Sequence, residues 1–193
     1  MSAGLQRFSQ AARKTLALAH AEAIKSGQSK ITDMHLFIAL IRDEGSAGKV
    51  LAEQGANLEG IRSLVDQITP ASEKTAGEPG RIDLDDSTKR VLEQAVEIGR
   101  QNKSGTIGSE HLLSALVKYG SSRVNRVLEA SGLDRARIRE SLDPVLAASR
   151  VQSELSDLLD MLEACRRLFQ GEVTHQQRLN RIEEIVREYF STK

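Results

Sequence analysis

The chain has 193 residues, 39% hydrophobic and 28% charged, enough for one or two small domains with a buried core. Lysine plus arginine equals aspartate plus glutamate at 27 each, so no global field draws it to nucleic acid or an anionic membrane. A single cysteine, Cys165, excludes an internal disulfide framework, and no apolar run is long enough to span a bilayer.

The opening segment MSAGLQRFSQ lacks the apolar stretch of a secretory leader, so the expected setting is the reducing cytoplasm. A long helix follows, with Ala12, Leu16, Ala19 and Ala23 at three- and four-residue spacing. Ser9 is its predicted N-cap, Phe8 a hydrophobic staple, and Gly27 its breaker. A second helix, DMHLFIALIRD, starts at Asp33 as cap. A third covers about 47–54 and ends at Gly55, and Asn57 caps a fourth. The segment 69–81, TPASEKTAGEPGR, cannot continue a helix and marks a connector.

Residues 84–142 then repeat 8–64. A shift of 76 aligns Leu16 with Leu92, Ala19 with Ala95, Ile31 with Ile107, His35 with His111 and Leu40 with Leu116. One extra residue makes the shift 77 for Val50/Val127, Gly55/Gly132 and Ile61/Ile138. A repeat of this length is a structural unit used twice. The second copy predicts a helix capped by Asp85 and broken at Gly105, one capped by Ser109, one over 122–131, and one capped by Asp134. The expected fold is all-α: two four-helix repeats, at 8–68 and 82–142, packed as a pseudo-twofold pair within a domain covering 5–145. A unit of about 60 residues is marginal alone, and a shared face stabilises both copies.

The final segment, 145–193, has a different pattern. Asp143-Pro144 predicts a new helix start. Val151, Leu155, Leu158, Leu162, Cys165 and Phe169 then recur at alternating spacings of four and three, a heptad seam. Gly171 interrupts it, Thr174 with Gln177 forms a capping box, and Leu179, Ile182, Val186 and Tyr189 resume it. The expectation is an antiparallel helical hairpin whose longer first arm needs a further partner, such as a second copy of the chain.

No residue pattern predicts an active site. GSAGKV at 45–50 lacks both the first glycine of a phosphate loop, where Asp43 stands, and the hydroxyl expected at Val50. His20, His35, His111 and His175 are scattered without metal-ligand spacing, so no metal and no cofactor is expected. His35 and His111 occupy the first turns of apolar helices, where a buried, hydrogen-bonded imidazole is the structural expectation. Cys165 sits on the seam as a small core residue, not a nucleophile. Nucleic-acid binding lacks a basic stripe and stacking aromatics.

GSEHLLSAL at 108–116 and KTLALAHAEAIKSGQSKITDMHLFIAL in the first copy resemble the Clp N-terminal repeat, nearer the ClpC type than ClpA or ClpB. The resemblance covers roughly residues 5–145. It implies a non-catalytic domain that docks substrates and adaptors for an unfoldase. In ClpC-type domains the acid of the Gly-(Ser/Thr)-Glu-His motif takes part in binding phosphorylated arginine, and a carboxylate suits a guanidinium partner. That acid is Glu110 here, beside Ser109; the first copy has Asp33 and Met34 in Thr32-Asp33-Met34-His35, and Met34 cannot accept those bonds. The alternative for Glu110 is a first-turn acid favoured by the helix dipole.

The 193 residues carry no Walker motif, so the chain resembles the small accessory proteins of Clp proteases, including the plastid ClpT type. The expected role is a non-enzymatic accessory or adaptor, with Clp ATPase or peptidase subunits and substrate proteins as partners and homodimerisation through the hairpin. The alternatives are a phosphoarginine- or substrate-binding decoy, or a repeat recruited outside proteolysis.

Overall fold

In the computed structural model, which describes residues 6–69, 83–170, 179–185 and 187, the first helix begins at the predicted cap. The Ser9 hydroxyl accepts from the Ala12 N–H at 3.2 Å and starts α1 (Gln10–Lys25). Helices α2 (Asp33–Ile41), α3 (Ser46–Glu53) and α4 (Leu58–Ile68) complete the first repeat. The second contains α5 (Asp86–Gln101), α6 (Ser109–Tyr119), α7 (Ser122–Ala130) and α8 (Arg135–Gln170). Asp85 opens α5 by accepting from the Thr88 N–H at 2.7 Å. Asn57 opens α4 by accepting from Glu59 and Gly60, and Asp134 accepts from Ala136 at the start of α8. The described residues thus give four helices per repeat, as the duplication predicts.

Several local details differ from expectation. The caps of α2 and α6 are Thr32 and Gly108, which makes Asp33 and Ser109 the first helical residues. The side chain that satisfies the helix start is the histidine three residues on, because its Nδ1 accepts the cap residue's N–H. The breaker in the second copy is Lys103, with φ of 52°, and not Gly105; it stands where Gly27 has φ of 67°. The same bond closes both turns: Gln28 N–H to Ala23 carbonyl, and Ser104 N–H to Gly99 carbonyl. The bond sets the left-handed conformation, and lysine adopts it at a cost glycine avoids.

Pro144 starts no helix. It lies inside α8. Proline removes one backbone donor, but Ile138, Leu142, Val145 and Leu146 form a face on the core that continues across it. GSAGKV is a tight helix start. Gly45 is the N-cap of α3, and a Cβ on Gly48 would lie 1.7 Å from the Asp43 carbonyl oxygen.

The repeats are joined by an exchange the helical pattern did not predict. Strand β1 (Lys30–Ile31) pairs in parallel with β2 (Asp83–Leu84), in the register Ile31 to Leu84. Phe8, the repeat-equivalent of Leu84, bridges Ile107, the equivalent of Ile31. Each copy thus lends the segment before its first helix to the other copy's segment before its second. Ser9 N–H to Ile107 carbonyl and Asp85 N–H to Ile31 carbonyl, 2.9 and 3.0 Å, are matching bonds of this exchange.

Helices α2 and α6 form the middle of the core. Each packs on the other, on its own repeat's first helix, and on the other repeat's first helix. Leu36, Phe37 and Leu40 of α2 and Leu112, Leu113 and Leu116 of α6 are fully buried. A helix apolar nearly all round requires such a central position.

Residues through Ser149 form one compact unit, and those from Arg150 onward a second. In the second, α8 runs to Gln170 and residues 179–185 are again helical. The connector after Thr69, the Thr174–Gln177 capping box, the side chains of Cys165 and Phe169, and Val186 and Tyr189 lie outside the described residues. Among those residues no helix is long and apolar enough to cross a membrane.

Candidate functional site

The starts of α2 and α6 carry the paired motifs, and their histidines serve the same structural purpose. The Thr32 N–H donates to His35 Nδ1 at 3.0 Å, which leaves the ring proton on Nε2, 2.9 Å from the Ser26 hydroxyl. The Gly108 N–H donates to His111 Nδ1 at 3.0 Å, and Nε2 meets Ser104 at 3.1 Å. Each imidazole ties the start of one helix to the end of the preceding one. Burial holds His35 down at a pKa of about 4, against the opposing pull of Glu22 and Asp85.

The residues beside the histidines have diverged. Asp33 is buried and accepts from the Ser121 N–H at 2.6 Å and the Ser121 hydroxyl at 3.2 Å, so it caps α7 of the other repeat. Met34 is a core side chain, 2% exposed. Ser109 is buried where Gly45 of the first repeat approaches; a Cβ on Gly45 would lie 3.2 Å from its hydroxyl.

Glu110 is 8% exposed, with Oε1 3.2 Å from the Ser149 hydroxyl and 3.0 Å from His111 Nδ1. Burial pushes its carboxyl up, but the His111 bond, its own backbone N–H, the His111 charge and the Ser149 hydroxyl together hold it below its ordinary value. The carboxylate competes with the Gly108 N–H for Nδ1: neutral imidazole accepts from Gly108, and imidazolium donates to Glu110. The first-turn acid thus has two partners at its own helix start, the His111 ring and its own backbone N–H, and a third, Ser149, on α8.

The seam positions on α8 differ in kind. Val151, Leu155, Leu158 and Leu162, with the neighbouring Leu159, are between 38% and 62% exposed, and Leu179 is 42% exposed. Ile182 is partly covered. These side chains form an apolar strip on α8 that is left largely uncovered among the described residues.

Sequence reasoning missed one charged cluster. Glu22 is buried on the inner face of α1, where its Oε1 accepts from Arg42 at 2.5 Å and from Arg62 at 2.6 Å. The signal was present: Glu22 falls at core spacing with Ala19 and Ala23, and its repeat-equivalent is Ile98. Among the described residues no group of three or more His, Cys, Asp or Glu side chains is placed to hold a metal ion.

A four-helix unit duplicated around a shared core, with its leading segments exchanged, defines a tandem helical-repeat domain. The family model described as "Clp repeat (R) N-terminal domain" matches residues 7–131 and again 86–185. The chain belongs to that family. It is 28% identical over 148 residues to the negative regulator of genetic competence ClpC/MecB of Bacillus subtilis, covering 76% of this chain and 18% of that protein. To the chloroplastic chaperone protein ClpC2 of Oryza sativa it is 36% identical over 135 residues, 69% of this chain and 14% of the relative. The chain therefore spans less than a fifth of these relatives. Among solved structures, the N-terminal domain of the chaperone ClpD from Arabidopsis thaliana superposes with a TM-score of 0.59 at 24% identity, over 77% of this chain and 97% of that one. The Hsp104 N-terminal domain of Candida albicans gives 0.57 at 17% identity, over 70% and 88%. These two likenesses establish the fold.

Proposed function

We propose that this chain is a non-catalytic docking protein of a Clp-type chaperone-protease, an accessory or adaptor that holds Clp subunits or their substrates through its double repeat. Membership of the Clp repeat family carries the reading. The exposed Leu155–Leu162 strip supplies a second, apolar contact surface, suited to a partner helix or to another copy of the chain. Capture of the full chain against Clp ATPase and peptidase subunits is expected to enrich one of them; enrichment of neither removes the proposal. Leu155→Asp with Leu162→Asp is expected to lower the mass seen by light scattering if the strip joins two copies. An unchanged mass assigns the strip to a different partner.

The phosphoarginine reading of Glu110 draws less support, because Ser149 and His111 already engage that carboxylate and Met34 is buried. A guanidinium ligand at Glu110 would have to displace the Ser149 hydroxyl. Titration of phosphoarginine against the wild type and Glu110→Ala tests it, and equal affinities exclude Glu110 as the ligand group.

A further inference from the structure

The exposed apolar surface of this chain is concentrated in one place. Of the seven large apolar side chains exposed among the described residues, six lie beyond Arg150, and Ile24 is the exception. A single exposed residue such as Ile24 is ordinary on a folded domain, whereas a contiguous row is not. Val151, Leu155, Leu158 and Leu162 form such a row, 54%, 52%, 38% and 58% exposed. At 3.6 residues per turn they fall within about 60° of arc and run about 17 Å along α8. Leu159, also exposed, widens one edge.

A stripe this narrow, set by alternating steps of four and three residues, is the seam of a helix that packs on another helix. The neighbouring charges indicate which helix. Between Val151 and Ala164 stand Glu154, Asp157, Asp160 and Glu163, and no cationic side chain. At helical spacing Glu154 borders the seam on one side, and Gln152 with Glu163 on the other; Asp157 and Asp160 lie further round. Arg150 donates to Glu154 at 3.1 Å, and Arg166 follows Leu162 by four residues. The cations of this segment thus stand at its two ends, and the acids along its length.

Two copies of the strip are a poor match for each other. Set antiparallel about Leu158 and Leu159, they bring Glu154 level with Glu163 and Asp157 level with Asp160. Set parallel, they bring each acid beside its own counterpart. Like charges brought together across a helical interface disfavour it and select a different partner. We infer that the strip is the docking face for an amphipathic helix of a partner protein, aliphatic at four- and three-residue spacing and bordered by Lys or Arg. The inference rests on the docking reading above for the strip as a contact surface, and it names the chemistry that the strip takes. It does not require that the partner be a Clp subunit.

The test uses the full chain and three labelled helical peptides, followed by fluorescence anisotropy. The first has a leucine seam bordered by lysine and arginine. The second keeps the seam with glutamate borders, and the third keeps the basic borders with serine in the seam. The first is expected to bind at least about tenfold more tightly than either of the others, and to weaken as salt is added. Leu155→Asp with Leu162→Asp should abolish that binding at unchanged helical content, since both side chains are exposed. Glu154→Lys with Glu163→Lys should reverse the preference between the first and second peptides. No binding of the first peptide overturns the inference, whether the chain's own later segment or nothing fills the strip. So does equal binding of the second or third peptide, or binding that survives the leucine pair. A concentration-dependent dimer in light scattering that the leucine pair dissolves also overturns it, because the strip then takes a second copy. No Clp subunit is present in the titration, so its failure and that of the capture experiment are told apart.

Discussion

Repeat one and repeat two share a backbone plan, but they have diverged at the polar positions where the plan leaves latitude. The parts that hold the fold are kept in both: the histidine at the helix start, the leucines of α2 and α6, the exchanged segments, and the glycines at 55 and 132. At other positions the copies part. Glu22 with two arginines stands against Ile98, Met34 against Glu110, and Gly27 against Lys103. The apolar interior constrains both copies at once, while individual buried and surface positions have acquired their own chemistry in each.

The largest test of that contrast is in the shared interior. Leu36→Ala and Leu112→Ala are each expected to cost about 2–5 kcal/mol, as buried leucine truncations do. Both should shift a single denaturant transition, because α2 and α6 lie in one core. Two separable transitions would break the picture of a common interior.

Next in size is an acid sensitivity from repeat one. His35 takes a proton near pH 4 when folded and near 6.5 when unfolded, so the unfolded chain binds protons more readily and stability falls as pH drops through that window. The full effect is about 3 kcal/mol. Subtracting the stability–pH curve of His35→Gln isolates it, and parallel curves would refute it.

A smaller effect concerns the ion cluster. Glu22→Gln removes the charge that holds Arg42 and Arg62, which are 38% and 24% exposed. Water reaches both, so the expected loss is about 1–2 kcal/mol and shrinks as salt is added. Calorimetry across salt concentrations measures it; a loss insensitive to salt would mean packing, not charge, sets the value.

The smallest is the turn after the first helix of each copy. Lys103→Gly is expected to stabilise by up to about 1 kcal/mol, and Gly27→Ala to destabilise by a similar amount. Thermal melts of the two variants are the check, and changes of the same sign would show that the turns are not equivalent.

Helix number, order and most caps were legible because each rests on local chemistry. Ser9, Asp85, Asn57 and Asp134 each sit just before an apolar period, and each accepts the bond its position implies. Contacts between distant segments were not legible. Nothing local marks Lys30–Ile31 as the partner of Asp83–Leu84, or Asp33 as the acceptor for Ser121. The helix start assigned to Pro144 failed because a local rule was applied where Ile138 and Leu142, anchored in the core, carry the helix through. At the candidate sites, residue types were readable, but burial was not. Met34 and Asp33 became interior groups, and the Glu22 cluster came to view only once α1, α2 and α4 were placed together.

The exchanged segments have a consequence for how the chain reaches its fold. Phe8 must find Ile107, and Ile31 must find Leu84, before either copy is complete. Such sequence-distant pairings raise contact order and slow folding. They also allow the molecule to be divided. Two fragments cut within 70–82, each a poor folder alone, should reconstitute the domain when mixed, since each holds the segment the other lacks.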